Sequence, residues 1–444
     1  MRLFLVYNIF LVSCYSVALS QDSLDVVTPP ADSSTIQLRI DQIIIVGNHQ
    51  TKDYVILREM SVKSGSTLSL DQLEYEKNRI YSLGLFNQVE LSTVPSESGL
   101  VNLIVAVSER WYIFPYPIFG IKDRDWSKLF YGLGVLHSNF RGRNEKLSTS
   151  LVLGYDPSVS LWYRNSFLDH KGTYFLDTRV SYSKVRNKSL IAQQGAANFD
   201  ERHVYVSAAV GRRFGNYNSV WVSSGYEIVD VTDDPQASTL SPNGIDRFPL
   251  FGLGYIHDTR DLAEYPAYGM FARATITKFG FPASQINFVR YAADLRRYVP
   301  FASRFILTGR LFTDLVAGGR TPAYNRVYFG YGNRIRGHFK EVMEGENIMG
   351  ASSELHFTLL SPRYYTFMFL PAEFEIWRFA ISLAAFADAG AVWFRGEQLA
   401  LNRFARGYGV GIHFLLPYST VLRLEYAWNE VRRGQFIFDL GSTF

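Results

Sequence analysis

One cysteine, Cys14, stands in a chain of 444 residues, so no disulfide can form within it in any compartment. Beyond the N-terminus no apolar run reaches the 18 or more residues of a membrane-spanning helix, which excludes helical spans. The formal net charge is only +4, and no basic block marks a nucleic-acid partner. Neither G-x-S-x-G nor H-E-x-x-H occurs, and the eight histidines show no ligand spacing. No enzyme, no metal and no cofactor is therefore expected. Gly407, Gly409 and Gly411 match a phosphate loop only as a string, because they lie on an alternating strand. What is abundant is aromatic: 28 Tyr, 34 Phe and 7 Trp, 16% of the chain, at a mean hydropathy close to zero. A β-barrel with an apolar, aromatic outer face and a polar lumen averages to that balance.

The N-terminus reads as an export signal over residues 1–20. Met1-Arg2 gives the charged end, Leu3–Val12 the apolar core, and Ala18-Leu19-Ser20 a small-x-small cleavage site before Gln21. A second reading makes Leu11-Val12-Ser13-Cys14 a lipobox, with Cys14 lipidated as the first mature residue. Residues 21–35, with Pro29-Pro30, then form a linker.

Residues 36–110 alternate between strand and helix patterns. Ile36–Asn48 predicts a strand ending in a Gly47-Asn48 turn, and Thr51–Met60 a helix with Thr51 as candidate cap. Leu70, Leu73, Ile80 and Leu83 repeat at helical spacing up to Gly84, and the strands Phe86–Val94 and Leu100–Glu109 close the unit. This βααββ order, with Leu83-Gly84-Leu85-Phe86 and Val107-Ser108-Glu109, resembles a POTRA (polypeptide-transport-associated) domain. The resemblance implies a module that takes client segments by adding a strand to a sheet edge.

Residues 111–444 carry period-two alternation. Leu422, Leu424, Tyr426 and Trp428 interleave with Arg423, Glu425 and Ala427; Val289, Tyr291, Ala293 and Leu295 interleave with Arg290, Ala292, Asp294 and Arg296. A spanning strand takes about 9–11 residues, so sixteen strands with short turns fit this length. Strands are expected near 112–121, 129–138, 146–155, 158–166, 174–184, 201–213, 217–230 and 248–257. Eight more are expected near 270–279, 286–299, 303–316, 349–360, 379–388, 405–415, 420–429 and 435–444. A long loop covers about 317–347, and the stretch 185–200 either forms a loop or lengthens its flanking strands.

That loop contains FGYGNRIRGH (Phe329–His338), and AFADAG (Ala385–Gly390) sits inside a strand-like apolar run. An arginine in a Gly-flanked loop and an aspartate in a barrel wall are both costly unless they meet. With SNFRGRNEKL (Ser138–Leu147), Asp258-Thr259-Arg260-Asp261 and the final Phe444, the chain resembles the outer-membrane barrel assembly and translocation superfamily that includes BamA, TamA and the two-partner secretion transporters. The implied architecture is an α+β POTRA domain followed by a 16-stranded antiparallel transmembrane β-barrel, in the outer membrane of a Gram-negative bacterium with the POTRA domain in the periplasm.

The resemblance also implies a lumen-folded loop in which Ile335, Arg336, Gly337 and His338 bind the wall at Asp388, Glu354 and Gly390. The family usually has an aromatic where His338 stands, so this anchor is expected to be looser or pH-sensitive. It further implies a weak seam between the first and last strands, where Gly441 and Phe444 lie. Two functions follow: an insertase for unfolded β-barrel clients, or a pore translocating a polypeptide. A barrel kept only as structure or adhesin is a third. Outer-membrane lipids and periplasmic or lipoprotein accessory subunits are the further partners implied, and a single POTRA domain points to an accessory or minimal version.

Overall fold

The computed structural model describes residues 38–440 apart from short stretches at 70–72, 74–75, 78–79, 81–82, 97–99, 123–125, 170–171, 192–198, 216, 232–238, 261–264, 283, 340, 367–375 and 417–419. Cys14, Leu70, Gly441 and Phe444 lie outside the described residues.

The N-terminal module opens with β1 (Leu38–Val46), α1 (Asp53–Leu57) and the short β2 (Thr67–Leu68), and closes with β3 (Phe86–Pro95) and β4 (Val101–Glu109). The sheet order is β2-β1-β4-β3, with β1 and β4 parallel. A parallel neighbour requires a crossover, and the chain between β1 and β3 supplies it. Ile40, Val55, Ile56, Leu68, Ile80, Leu85, Phe86, Leu103 and Val105 form its core. Thr51 does not cap α1: Lys52 occupies the N-cap position without a side-chain bond. The Thr51 hydroxyl is instead drawn into a tertiary contact, 2.9 Å from both the Tyr112 hydroxyl and Asn139 Nδ2.

The second sheet has sixteen antiparallel strands. Its first half runs through β5 (Ile113–Ile121), β6 (Leu129–Phe140), β7 (Glu145–Gly154), β8 (Ser158–Asn165), β9 (Tyr174–Arg186), β10 (Asp200–Phe214), β11 (Asn218–Asp230) and β12 (Ile245–Asp258). It continues through β13 (Gly269–Phe279), β14 (Phe288–Ala302) and β15 (Phe305–Gly318). A small hairpin of β16 (Val327–Phe329) and β17 (Met343–Gly345) interrupts the sequence. The last five strands are β18 (Asn347–Thr366), β19 (Ile376–Trp393), β20 (Ala405–Leu416), β21 (Thr420–Asn429) and β22 (Gly434–Leu440). Sequential strands pair throughout, β18 pairs with β15, and β5 and β22 are the two ends of the sheet order. Of the stretch 185–200, Val185 and Arg186 lengthen β9 and Asp200 starts β10, while Asn187–Ile191 lie outside both strands.

Burial is inverted relative to a water-soluble protein. Leu133, Leu151, Val222, Leu253, Tyr291, Leu311, Val410 and Phe436 are exposed, while Ser150, Glu201, Glu227, Arg290, Glu354, His413 and Glu425 are buried. Alternation turns one set outward and the other into the lumen, which is what a membrane-spanning barrel requires.

The module is joined to the barrel by polar contacts. Within the module, the Glu109 carboxylate shapes the corner that meets the barrel by accepting hydrogen bonds from the backbone N–H groups of Gln50 (3.0 Å) and Thr51 (2.6 Å). The β6–β7 turn, where SNFRGRNEKL lies, meets the same corner: Lys52 N–H donates to the Gly142 carbonyl at 2.9 Å. Gly142 has φ +70°, and a Cβ there would stand 2.0 Å from the Gln50 carbonyl oxygen. Burial pushes the Tyr112 hydroxyl up to about 12, and the nearby Glu109 charge adds to the rise. Burial alone would raise the Glu109 carboxyl, but hydrogen bonds from Thr51 and Gln50 hold it below its ordinary range. At the β8–β9 turn the Arg58 guanidinium lies 3.8 Å over the Phe167 ring.

Candidate functional site

The loop between β15 and β18 folds into the lumen because it carries its own apolar anchor. Phe329 and Ile335 are buried in one cluster with Phe312, Val327, Ile348 and Ala405. Gly390 makes room for them: a Cβ at 390 would stand 2.4 Å from the Phe329 ring and 3.0 Å from Ile335 Cδ1. Gly337, at φ +103°, turns the loop against the wall, where a Cβ would meet the Trp428 carbonyl oxygen at 2.6 Å.

This path delivers Arg336 to three strands. Its Nε and Nη2 each donate to one oxygen of Asp388 on β19, both at 2.7 Å. Its Nη1 donates to Glu354 on β18 at 2.6 Å and to Glu425 on β21 at 3.0 Å. Its backbone N–H donates to Asp388 as well, at 3.1 Å, and the guanidinium lies 3.5 Å over the Phe386 ring. Arg336 is 3% exposed, so this is a desolvated charge whose fork is satisfied by carboxylates on both sides.

Between β19 and β21 lies β20, and its glycines form the trough that admits the loop. A Cβ at Gly407 would fall 1.4 Å from the Arg336 carbonyl oxygen, and one at Gly411 would stand 2.7 Å from Glu425 Cγ. The glycine string therefore serves close backbone approach. Sequence reasoning placed Arg336 near Asp388 and Glu354, but it did not select Glu425, Phe386 or the glycine trough. Glu425 was visible as a lumen-facing carboxylate; which loop residue it meets depends on pairing three strands away.

His338 is tied at both nitrogens, Nδ1 to Glu341 at 2.7 Å and Nε2 to Glu430 at 2.6 Å. Burial would lower its pKa, but these two carboxylates raise it above the ordinary histidine value. His338 is buried, so the departure from an aromatic leaves an ion-paired anchor at the loop rim.

The lock reaches the end of the sheet. Gln435 on β22 donates to the Gly337 carbonyl, and Arg423 donates to Asp439 on β22 at 2.9 Å. From the module end, the turn between β12 and β13 sends Tyr265 into the same region, stacked on His356 with ring centroids 5.0 Å apart. Glu354, His356 and His413 are brought together here, a group of potential metal ligands among the described residues.

At the opposite end of the sheet order, β5 pairs with β6 without interruption from Ile113 to Ile121 although Pro115 and Pro117 lie within it. Proline has no N–H to donate, so an unbroken ladder requires Phe114, Tyr116 and Ile118 to bond β6. Alternation then turns Pro115 and Pro117 to the free edge, which lacks two donors.

A sixteen-stranded antiparallel sheet with a lumen-filling loop and a sheet-and-helix module at one mouth defines a class of membrane β-barrels. The profile of the Omp85 superfamily domain matches residues 139–444, and that of the surface antigen variable number repeat (POTRA) matches residues 38–110. The chain belongs to the Omp85 superfamily: its barrel lies in the outer membrane and its POTRA domain in the periplasm. It is 24% identical over 437 residues to outer membrane protein assembly factor BamA of Nitratidesulfovibrio vulgaris, covering 91% of this chain and 51% of that protein. It is 24% identical over 431 residues to outer envelope protein 80 of Arabidopsis thaliana chloroplasts, covering 88% of this chain and 54% of that one. The chain thus spans about half the length of these curated relatives. Among solved structures, BamA of Haemophilus ducreyi lacking POTRA domains 1–3 superposes with a TM-score of 0.63 at 17% identity, covering 91% of this chain and 84% of that one. CdiB of Escherichia coli superposes with a TM-score of 0.55 at 10% identity, covering 98% and 96%. Both likenesses are of fold.

Proposed function

We propose that this protein assists the folding and insertion of outer-membrane β-barrel proteins through the edge between β5 and β22, receiving unfolded clients at its POTRA domain. The observation that carries this reading is the outer edge of β5, which pairs with no strand but β6 among the described residues. Pro115 and Pro117 remove two donors from it, so closure against β22 is weakened where the barrel must open sideways. The Arg336 lock supports the same route, because it fills the lumen with a loop bonded to β18, β19 and β21 and tied to β22 through Gln435. No chemical step is assigned to the protein; client folding and local thinning of the bilayer would drive insertion. Outer-membrane lipids and periplasmic or lipoprotein accessory subunits are the further partners of this reading.

A polypeptide-translocating pore is the second reading, favoured by the match to CdiB over nearly the full length of both chains. Reconstituted vesicles separate the two. A cysteine pair linking β5 to β22 should abolish assisted folding of an unfolded barrel client, scored by its heat-modifiable mobility, and reduction should restore it. Assistance that survives the cross-link would overturn the insertase reading, and passage of a polypeptide across the cross-linked barrel would establish the pore.

A further inference from the structure

We propose that Glu354, His356 and His413 form a binding site for a divalent cation of the zinc class, set in the lumen beneath the Arg336 lock. One ligand atom from each of the three residues lies within 4.8 Å of the others, and all three side chains are buried. Glu354 and His356 stand two residues apart on β18 and so share the lumen face, and His413 reaches them from β20.

The two oxygens of Glu354 are divided between two tasks. Oε2 accepts from Arg336, while Oε1 faces the imidazoles, meeting His356 Nε2 and standing 3.7 Å from His413 Nδ1. His413 is held from behind by Glu425, whose Oε1 lies 3.2 Å from its Nε2. A carboxylate in that position fixes the tautomer with the proton on Nε2 and aims the Nδ1 lone pair inward, as the outer carboxylate does behind a metal-ligating histidine. His356 Nε2 donates to Glu354 Oε1 while its Nδ1 has no hydrogen-bond partner among the described residues, so a cation entering between Nε2 and Oε1 would displace that one proton. The Tyr265 ring stacks on His356, and its hydroxyl lies 3.3 Å from His413 Nδ1, closing the site from the periplasmic side.

Charge leads to the same place. The buried carboxylates of Glu354, Asp388 and Glu425 meet the guanidinium groups of Arg336 and Arg423 and, at Glu354 and Glu425, the imidazoles of His356 and His413. A divalent ion between Glu354 and the two histidines would supply positive charge there without a second proton on either ring. His203 and His338 show the contrast: each is one imidazole between two carboxylates, a set that a protonated ring satisfies alone. Here two imidazoles share one carboxylate oxygen. Two nitrogens and one oxygen select zinc-class ions over calcium or magnesium. Tetrahedral ligand atoms lie about 3.4 Å apart, so the Glu354–His413 pair at 3.7 Å needs to close slightly and the Glu354–His356 contact to open.

The test uses the full-length barrel in detergent, stripped with a chelator and dialysed against zinc or cobalt(II). The expected result is one ion per chain by elemental analysis, and a visible absorption band on cobalt loading that marks tetrahedral coordination. His356→Gln and His413→Gln should each weaken zinc binding about 10–100-fold in competition with a chromogenic chelator. His338→Gln, outside the cluster, should leave it unchanged. Heat-modifiable mobility shows whether each variant has folded, and the wild-type cobalt spectrum decides the matter where a variant has not. Less than about a tenth of an ion per chain, or binding unaltered in a folded His356→Gln/His413→Gln double variant, would overturn the proposal and leave the positive charge to protonated imidazoles.

Discussion

Two joints hold separately built parts of this protein together, and they use different chemistry. Where the POTRA domain meets the barrel, Thr51, Tyr112 and Asn139 share neutral hydrogen bonds, and Glu109 holds that corner from within the domain by accepting from backbone N–H groups. Where the long loop meets the lumen wall, a buried guanidinium sits among three carboxylates. A neutral hydrogen bond contributes about 0.5–1.5 kcal/mol, and losing one weakens a joint by a small increment. A buried charge cluster has no such gradation, since removing one member leaves the others desolvated and unpaired. The first joint sets the position of a module and the second acts as a catch.

The largest effect is expected from the catch. Arg336→Ala should lower barrel stability by about 3–5 kcal/mol, read from the urea midpoint of heat-modifiable mobility. Arg336→Lys should recover only part, because an ammonium cannot bond both oxygens of Asp388 and reach Glu354 together. A midpoint unchanged by Arg336→Ala would mean that the loop is held by Phe329 and Ile335 alone. Gly407→Val attacks the same contact with every charge left in place. Its side chain would occupy the position of the Arg336 carbonyl, so protease should cut the 319–346 loop in the variant and spare it in the wild type.

Smaller effects belong to the POTRA joint. Asn139→Ala or Thr51→Val should cost about 1–3 kcal/mol in docking, seen as faster hydrogen exchange at Gln50–Lys52, with the barrel midpoint unmoved. A shifted barrel midpoint would show that the two joints are one cooperative unit. The POTRA corner and the loop rim should also respond oppositely to pH. Glu109 is depressed on folding, so its contribution is present above about pH 4.3 and fades as pH falls through the folded value. His338 is raised, so its contribution is full below about pH 6.5 and is lost as pH climbs through the folded value. Acid should loosen the POTRA domain first and mild alkali the loop rim, and His338→Gln should remove the alkaline response alone. The smallest stability change is expected for Pro115→Ala/Pro117→Ala, which restores two donors to the β5 edge. It should leave the midpoint nearly unchanged while slowing assisted folding of a client; an unaltered rate would separate the prolines from seam opening.

Most of the strand map was legible because alternation is local: residue i faces the lumen when i+2 does, whatever the strand pairs with. Arg336, Asp388 and Glu354 were legible for a related reason, since a charge in an apolar setting signals a partner even when the partner's identity rests on resemblance. Thr51 misled because a hydroxyl before a helix serves equally as a cap or as a tertiary donor, and the β6–β7 turn decided which. Other features are not properties of any segment. Glu425 joins Arg336 only because β21 lies two strands from β19, and His356 meets His413 only across β19. Tyr265 joins them only because its turn folds into the barrel. Pro115 and Pro117 are plain in the sequence, yet which neighbour loses their donors was set by the ladder to β6. The sequence by itself determined the faces of the strands and the charges the lumen must neutralise. Which charges meet was decided by the strand order and register of the sheet, which bring together residues that no local pattern relates.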